Sequence, residues 1–206
     1  MSALAELARL GSATVYEAAG RQGLVDAALR QIVPGSRAAG PARTVRCGQS
    51  DNLMVHAAMA AVEPGDVLVL TMPEPEPVAL LGDLLATQAG VRGAAAVLVD
   101  GAVRDVEAIS ELGLPVWATH VSIRGATKEK IGALDVPVAV GGQTIEPGDV
   151  IVLDADGAAV VARGRVDAVL AASLDRERNE EAKRAKLQEG ALSYDLDRLR
   201  ERVERR

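Results

Sequence analysis

Along the first segment, apolar residues recur at helical spacing: Leu4, Leu7, Leu10, Val15 and Ala18 fall on one side of a 3.6-residue repeat. Gly11-Ser12 interrupts the run, so the pattern predicts two short helices within residues 3–19, the second capped by Ser12. Gly20 and Gly23 close the region, and Pro34, Gly35, Gly40 and Pro41 mark a turn before a predicted strand over Ala42–Cys47. Asn52 to Val62 reads as a helix capped by Asp51 or Ser50. Pro64-Gly65-Asp66 is a tight turn feeding a strand over Val67–Leu70, and Pro147-Gly148-Asp149 feeds Val150–Leu153 in the same way. These near copies predict similar structural roles, although two occurrences do not make a solenoid. Between them lie a loop with Pro73, Pro75 and Pro77, a helix over Asp83–Val91, a strand over Ala95–Val99, a helix over Val106–Leu112 and a strand over Val116–Ala118. Helices alternating with strands predict an α/β fold with some parallel pairing.

The pattern changes near residue 166. From Val166 to Arg206 the chain is highly charged, with apolar positions at helical spacing and opposite charges four apart, such as Glu180 and Arg184. Two units are therefore expected: a domain over 1–165 and a helical tail over 166–206, broken once at Gly190. The tail reads either as a solvated helix or as a bridge to a neighbouring subunit.

Composition narrows the core and the partners. Apolar residues make up 49% of the 206, yet there is no Phe, one Trp and two Tyr. Packing therefore falls to Val, Leu, Ile and Ala. A net charge of −6 with few aromatics offers neither the positive footprint nor the stacking platforms of a nucleic-acid binder. No apolar stretch is long enough to span a bilayer, and the start of the chain lacks the basic residues of a signal peptide. The lone Cys47 can build neither an intramolecular disulfide nor a thiolate zinc cage. The expected compartment is the cytoplasm.

The chemistry concentrates between Gly82 and Asp105. Gly82 precedes a helix whose first N–H groups, from Asp83 to Leu85, lack intrahelical acceptors and can hold a carboxylate. Asp83 at that start is a candidate cap. The strand over Ala95–Val99 then delivers a Gly-containing loop with Arg104 and Asp105, at the edge where open α/β sheets place ligands. Asp83 and Asp105 form an oxygen-rich, thiol-free set that suits magnesium or manganese better than zinc. Taken alone, an Asp at a helix start and an adjacent Arg-Asp pair are also what a cap and a solvated ion pair look like.

The stretch GDLLATQAGVRGAAAVLVDGAVRD resembles the signature of the RraA-like family, the fold group of the regulators of ribonuclease E. It is especially similar to the 4-hydroxy-4-methyl-2-oxoglutarate and 4-carboxy-4-hydroxy-2-oxoadipate aldolases, which carry an Asp, twenty intervening residues and then Arg-Asp, the spacing of Asp83 to Arg104-Asp105. The TVYEA segment, the DNLMVHAA helix, both PGD turns and the EEAKRAKLQEGALSYDL tail extend the resemblance through most of the chain. It implies a single swivelling β/β/α domain, assembled as a homotrimer or homohexamer with sites between subunits. It further implies that Asp105 ligates a divalent metal (Mg2+ or Mn2+), that Asp83 holds the metal through water, and that Arg104 contacts the 2-oxo group of the substrate. The amides around Leu84 and Leu85, after Gly82, would cradle the substrate carboxylate. An acid from the tail of a neighbouring subunit, Glu180 or Glu181, would approach the site. The implied reaction is cleavage of a 4-hydroxy-2-oxo diacid to pyruvate and a second 2-oxo acid, with decarboxylation of oxaloacetate alongside.

Other polar residues have plainer readings. Glu17 reads as a helix-surface acid, although family members often carry an acid there, and His56 as a hydrogen-bonded structural histidine. His120, near Arg124 and Lys128, is a secondary candidate for the pocket mouth or a distal substrate carboxylate. Cys47 has no nearby His and reads as inert, and Asp154 and Asp156 around Gly157 read as a β-turn. The rival function is a non-catalytic regulator of ribonuclease E. Inhibitor-type members lack the full acidic set, so Asp83 with Arg104-Asp105 favours the enzyme. A methyltransferase would need a Gly-rich cofactor loop after the first strand, which the sequence does not have.

Overall fold

The computed structural model describes residues 2–205. In chain order its helices and strands are α1 (Ala3–Leu10), α2 (Ser12–Ala18), β1 (Arg30–Gln31), β2 (Ala38–Arg46), α3 (Leu53–Ala58), β3 (Val67–Thr71), β4 (Ala79–Leu81) and α4 (Asp83–Val91). They continue with β5 (Ala96–Val103), α5 (Val106–Leu112), β6 (Val116–Val121), β7 (Ala133–Leu134), β8 (Val138–Val140), β9 (Gln143–Ile145), β10 (Val150–Leu153) and β11 (Ala158–Val161). A charged tail of α6 (Val166–Gln188), α7 (Ser193–Leu196) and α8 (Leu199–Glu204) follows.

Period-two alternation in the central strands decides the layers. Leu68 and Leu70 of β3, Val97 and Val99 of β5, and Val116 and Ala118 of β6 face one core, which is closed by α3, α4 and α5 through Val55, Leu85, Ala86 and Ile109. The intervening residues Val67, Val69, Ala96, Leu98 and Trp117 face a second core with Val140, Ile145, Ile151 and Leu153 from β8 to β10. Both faces are buried, which is why these strands read as continuous aliphatic runs. The result is a β/β/α stack: a helical layer, a parallel set of β2, β3, β5 and β6, and a second strand layer. The main sheet runs β1-β6-β5-β3-β2-β10-β11, with antiparallel partners at both ends. A third cluster buries Leu7, Val15 and Val169 of α1, α2 and α6 against β10 and β11.

The two PGD turns do play matching roles. Asp66 accepts the N–H of Glu63 at 2.9 Å and Asp149 that of Glu146 at 3.0 Å. Gly65 and Gly148 supply the positive φ of each turn, 94° and 84°. The strands they feed differ: β3 pairs parallel on both sides, β10 antiparallel on both.

Several local expectations need correction. Ser12 does not cap its own helix. Gly11 takes the N-cap position, and Asp154 accepts the Ser12 N–H at 2.7 Å and its hydroxyl at 2.6 Å from across the fold. The helix expected over Asn52–Val62 ends at Ala58, the strand at Ala42 begins four residues earlier, and Asp100-Gly101 lies inside β5 rather than in a loop after it. Asp83 is the first helical residue of α4, not its cap, which is Gly82. In the tail Glu180 pairs with Arg176 at 2.8 Å, where Arg184 was the expected partner. The middle of α6 is held to the body by Arg9, whose guanidinium grips Glu177 in a bidentate pair at 2.6 and 2.7 Å. Among the described residues no helix is long and apolar enough to cross a membrane.

Candidate active site

Strand β4, the end of β5, the starts of α3 and α4, and the segment between β6 and β7 converge on one cleft of about 130 Å3, lined by Asn52, His56, Ala79, Gly82, Asp83, Leu84, Leu85, Arg104, Ala126 and Lys128. That size admits a small acid and is well below the roughly 300–1,000 Å3 of pockets for larger ligands.

One wall is built from main-chain geometry. Strand β4 pairs with the end of β5, and the Arg104 N–H donates to the Leu81 carbonyl at 3.1 Å, so Arg104 emerges beside the start of α4. The next residue, Asp105, adopts a left-handed conformation (φ 58°, ψ 40°) as the N-cap of α5. This conformation costs a non-glycine residue about 1–3 kcal/mol and recurs at functional sites. It turns the carboxylate back over α4, where one oxygen accepts the Asp83 N–H at 3.3 Å and lies 3.4 Å from the Arg104 Nε. Gly82 makes room for this arrangement: a Cβ there would stand 2.7 Å from that Asp105 oxygen and 3.1 Å from the Arg104 Nε. The first α4 ladder bond runs from Ala86 to Gly82. The Asp83 N–H is thus committed to Asp105, while those of Leu84 and Leu85 have no intrahelical acceptor. Leu85 is buried in the core and Leu84 is 80% exposed at the rim.

The other wall is made of side chains. Asn52 is buried; its amide NH2 donates to the Leu80 carbonyl at 3.1 Å, and its Oδ1 has no partner. An unpaired buried acceptor costs about 1–3 kcal/mol and marks a place where a ligand donor is welcome. His56, four residues on, shares its face of α3, and burial together with the nearby Lys128 charge holds its pKa below the ordinary histidine value. Its imidazole is therefore uncharged at neutral pH.

Asp83, Arg104, Gly82, Leu84 and Leu85 thus meet in one cleft, with the Asp105 carboxylate beside it. Glu180 and Glu181 do not line it; they lie on α6, which packs against α1 and α2. Glu17 forms ion pairs with Arg21 at 3.2 Å and Arg176 at 3.9 Å on that same side. His120 is an exposed residue of β6, its Nδ1 3.1 Å from the Thr119 hydroxyl, and is absent from the cleft lining. Burial, with the Asp51 charge, pushes the Cys47 thiol up to about 12, which leaves it inert. Asp154 and Asp156 form the β10–β11 turn, where Asp154 accepts the Asp156 N–H at 3.0 Å. His56 stands in the cleft rather than as a structural histidine, and Asn52 and Lys128 were not anticipated. Asn52 and His56, spaced i,i+4 on an otherwise apolar helix, were the available signal; Lys128 carried none.

Among the described residues no group of three or more His, Cys, Asp or Glu side chains is gathered as a metal cage. The cleft offers at most two carboxylates, Asp83 and Asp105. That set does not make a closed zinc site, but it matches magnesium, which takes one or two carboxylates and keeps several waters.

Comparison with known proteins agrees with this architecture. Residues 12–160 match the family model described as RraA-like, Aldolase/RraA. A protein of Halalkalibacterium halodurans, provisionally named a 4-hydroxy-4-methyl-2-oxoglutarate aldolase, is 34% identical over 165 residues, covering 80% of this chain and 79% of the relative. The structure of RraAS2 from Streptomyces coelicolor, described as an unusual member of the ribonuclease ES inhibitor RraA family, superposes with a TM-score of 0.77. It is 33% identical, over 88% of this chain and 95% of that one. A Geobacillus kaustophilus structure titled S-adenosylmethionine:2-dimethylmenaquinone methyltransferase has a TM-score of 0.67 and 34% identity, over 73% of this chain and 94% of that one. Fold, sequence and cleft together place the chain in the RraA-like family.

Proposed function

We propose that the chain is a divalent-metal-dependent lyase that cleaves a 4-hydroxy-2-oxo diacid to pyruvate and a second 2-oxo acid, and that it also decarboxylates oxaloacetate. The observation that carries this reading is the delivery of Arg104 and Asp105 onto the N-terminus of α4, in a cleft that also holds Asp83. The relative named as an aldolase supports it.

The Leu84 and Leu85 N–H groups bind the substrate carboxylate, aided by the positive end of the α4 dipole. Asp105 directly, and Asp83 through water, would hold Mg2+ or Mn2+, which when bound supplies Lewis-acid polarisation of the 2-oxo group. Arg104 donates to the 2-oxo oxygen and stabilises the negative charge that grows there as the C3–C4 bond breaks, an electrostatic contribution of about 3 kcal/mol per donor. In this reading Asp83 takes the proton of the C4 hydroxyl, and the unpaired Oδ1 of Asn52 accepts from a substrate hydroxyl. The Lys128 ammonium meets the distal carboxylate. Loss of carbon dioxide from oxaloacetate leaves the same enolate, so the same groups serve both reactions. Assembly as a homotrimer or homohexamer, with Glu181 or Glu180 of a neighbouring copy closing the cleft, belongs to this reading.

The test is pyruvate release from oxaloacetate and from 4-carboxy-4-hydroxy-2-oxoadipate with magnesium, then with excess chelator. Pyruvate from either substrate that disappears on chelation is the expected result. Release that persists under chelation sinks the metal dependence. No release from either, with magnesium or manganese added, replaces the lyase with the ribonuclease-regulator reading.

A further inference from the structure

A fully buried carboxylate outside the cleft lining, Asp51, ties the side-chain wall together. An ordinary helix cap accepts N–H groups from its own helix, and Asp51 does so once, from Leu53 at 2.9 Å. Its other three donors come from more than seventy residues along the chain: the Thr127 hydroxyl at 2.6 Å, the Glu129 N–H at 2.6 Å and the Lys130 N–H at 3.1 Å, all on Oδ2. Main-chain bonds from Asn52 to Thr127 (2.9 Å) and from Thr127 to Ser50 (3.0 Å) run alongside. The Lys130 ammonium adds a contact to the Gln49 carbonyl at 2.7 Å.

The geometry has a direct consequence for the cleft. Asn52 adjoins Asp51, and His56 stands one turn further along α3. Lys128 lies between Thr127 and Glu129, both bound to Asp51. The three polar residues of this wall therefore come from two distant segments that one carboxylate joins. A buried anion satisfied by hydrogen bonds alone tolerates little drift of its donors, because each lost bond leaves charge unsolvated. Burial alone would raise its pKa, but the donors outweigh burial and hold the group near 2, so it stays ionised at neutral pH.

We propose that Asp51 is the positioning residue of this wall: it fixes Lys128 relative to Asn52 and His56, and so sets the affinity of the cleft for the distal carboxylate of a 2-oxo diacid. The proposal rests on the lyase reading above.

Asp51→Asn and Thr127→Val, made in the full chain, test it through steady-state pyruvate release from 4-carboxy-4-hydroxy-2-oxoadipate with magnesium, because in oxaloacetate the distal carboxylate is itself lost as carbon dioxide. Loss of charge-assisted bonds predicts a KM about tenfold higher for Asp51→Asn and about threefold higher for Thr127→Val, with kcat within about twofold. The KM effect should vanish in a Lys128→Ala background, the non-additivity expected when one residue acts through another. Amide exchange should accelerate at Glu129 and Lys130 while β3 and β5 keep wild-type protection. Additive losses on Lys128→Ala, or kcat falling at constant KM, overturn the positioning role and leave the lyase reading standing. If Asp51→Asn does not fold, Thr127→Val decides the matter, since it removes a single hydroxyl from a surface residue. If the wild type releases no pyruvate, the lyase reading fails, and calorimetric binding of 2-oxoglutarate judges Asp51 separately. Weaker binding by the variants then supports the positioning role; equal binding, or none by the wild type, ends it.

Discussion

The wall carrying Gly82, Asp83, Arg104 and Asp105 is fixed by strand pairing, a left-handed turn and the absence of a Cβ. The wall carrying Asn52, His56 and Lys128 joins two segments that are remote in sequence and meet on a buried carboxylate. The first is rigid because each reactive group sits one or two residues from a sheet or helix end. The second owes its shape to hydrogen bonds that can be removed one at a time. In the lyase proposed above, the rigid wall would bind the reacting 2-oxo acid end and the adjustable one would recognise the far end.

The largest effect should come from breaking the rigid wall at its charge. Arg104→Ala is expected to lower kcat/KM for pyruvate release by about 100- to 1,000-fold, the usual cost of one donor at a developing oxyanion. The melting temperature should stay close to wild type, because the side chain is half exposed. A retained rate in a folded variant would remove Arg104 from the chemistry. Gly82→Ala should come next, with a loss of roughly tenfold or more as the new methyl displaces the Asp105 oxygen and the Arg104 Nε. Wild-type kinetics in that variant would show that the two side chains are not held as tightly as their 2.7 and 3.1 Å clearances imply.

The smallest effect belongs to the other wall and appears in stability against pH. Asp51 is held near 2 in the fold, below the roughly 3.9 of an unfolded aspartate. The unfolded chain therefore binds the extra proton, and the contribution of Asp51 is complete above about pH 5 and is lost as pH falls towards 2. Urea midpoints measured across this range should decline for the wild type and fall less steeply for Asp51→Asn. An identical slope in both would show that Asp51 does not govern the acid limb.

Most of the layer structure and the rigid wall were legible in the sequence, for the same physical reason. The helix over Asp83–Val91 and the aliphatic strands announce themselves through local periodicity, and Asp83, Arg104 and Asp105 bracket one helix-strand unit, α4 and β5. What was missed depends on distance. The Asp154 cap on α2 joins residues 142 apart, and the Asp51 clamp joins residues 76 to 79 apart. Neither leaves a local pattern, because the donor segment, residues 123–131, has no periodicity of its own. His56 was misread for a related reason. A histidine on an apolar helix is usually satisfied within the core, and only the arrival of Lys128 from another loop opens a cleft in front of it.

Trp117, the single tryptophan of a chain without phenylalanine, is 1% exposed between the parallel strands and the second strand layer, where its indole N–H donates to the Asp154 carbonyl at 2.8 Å. Its fluorescence is therefore an optical gauge of one joint in the molecule. Emission excited at the red edge of the indole band will shift when the two strand layers separate, while fraying of α7 and α8 leaves it silent.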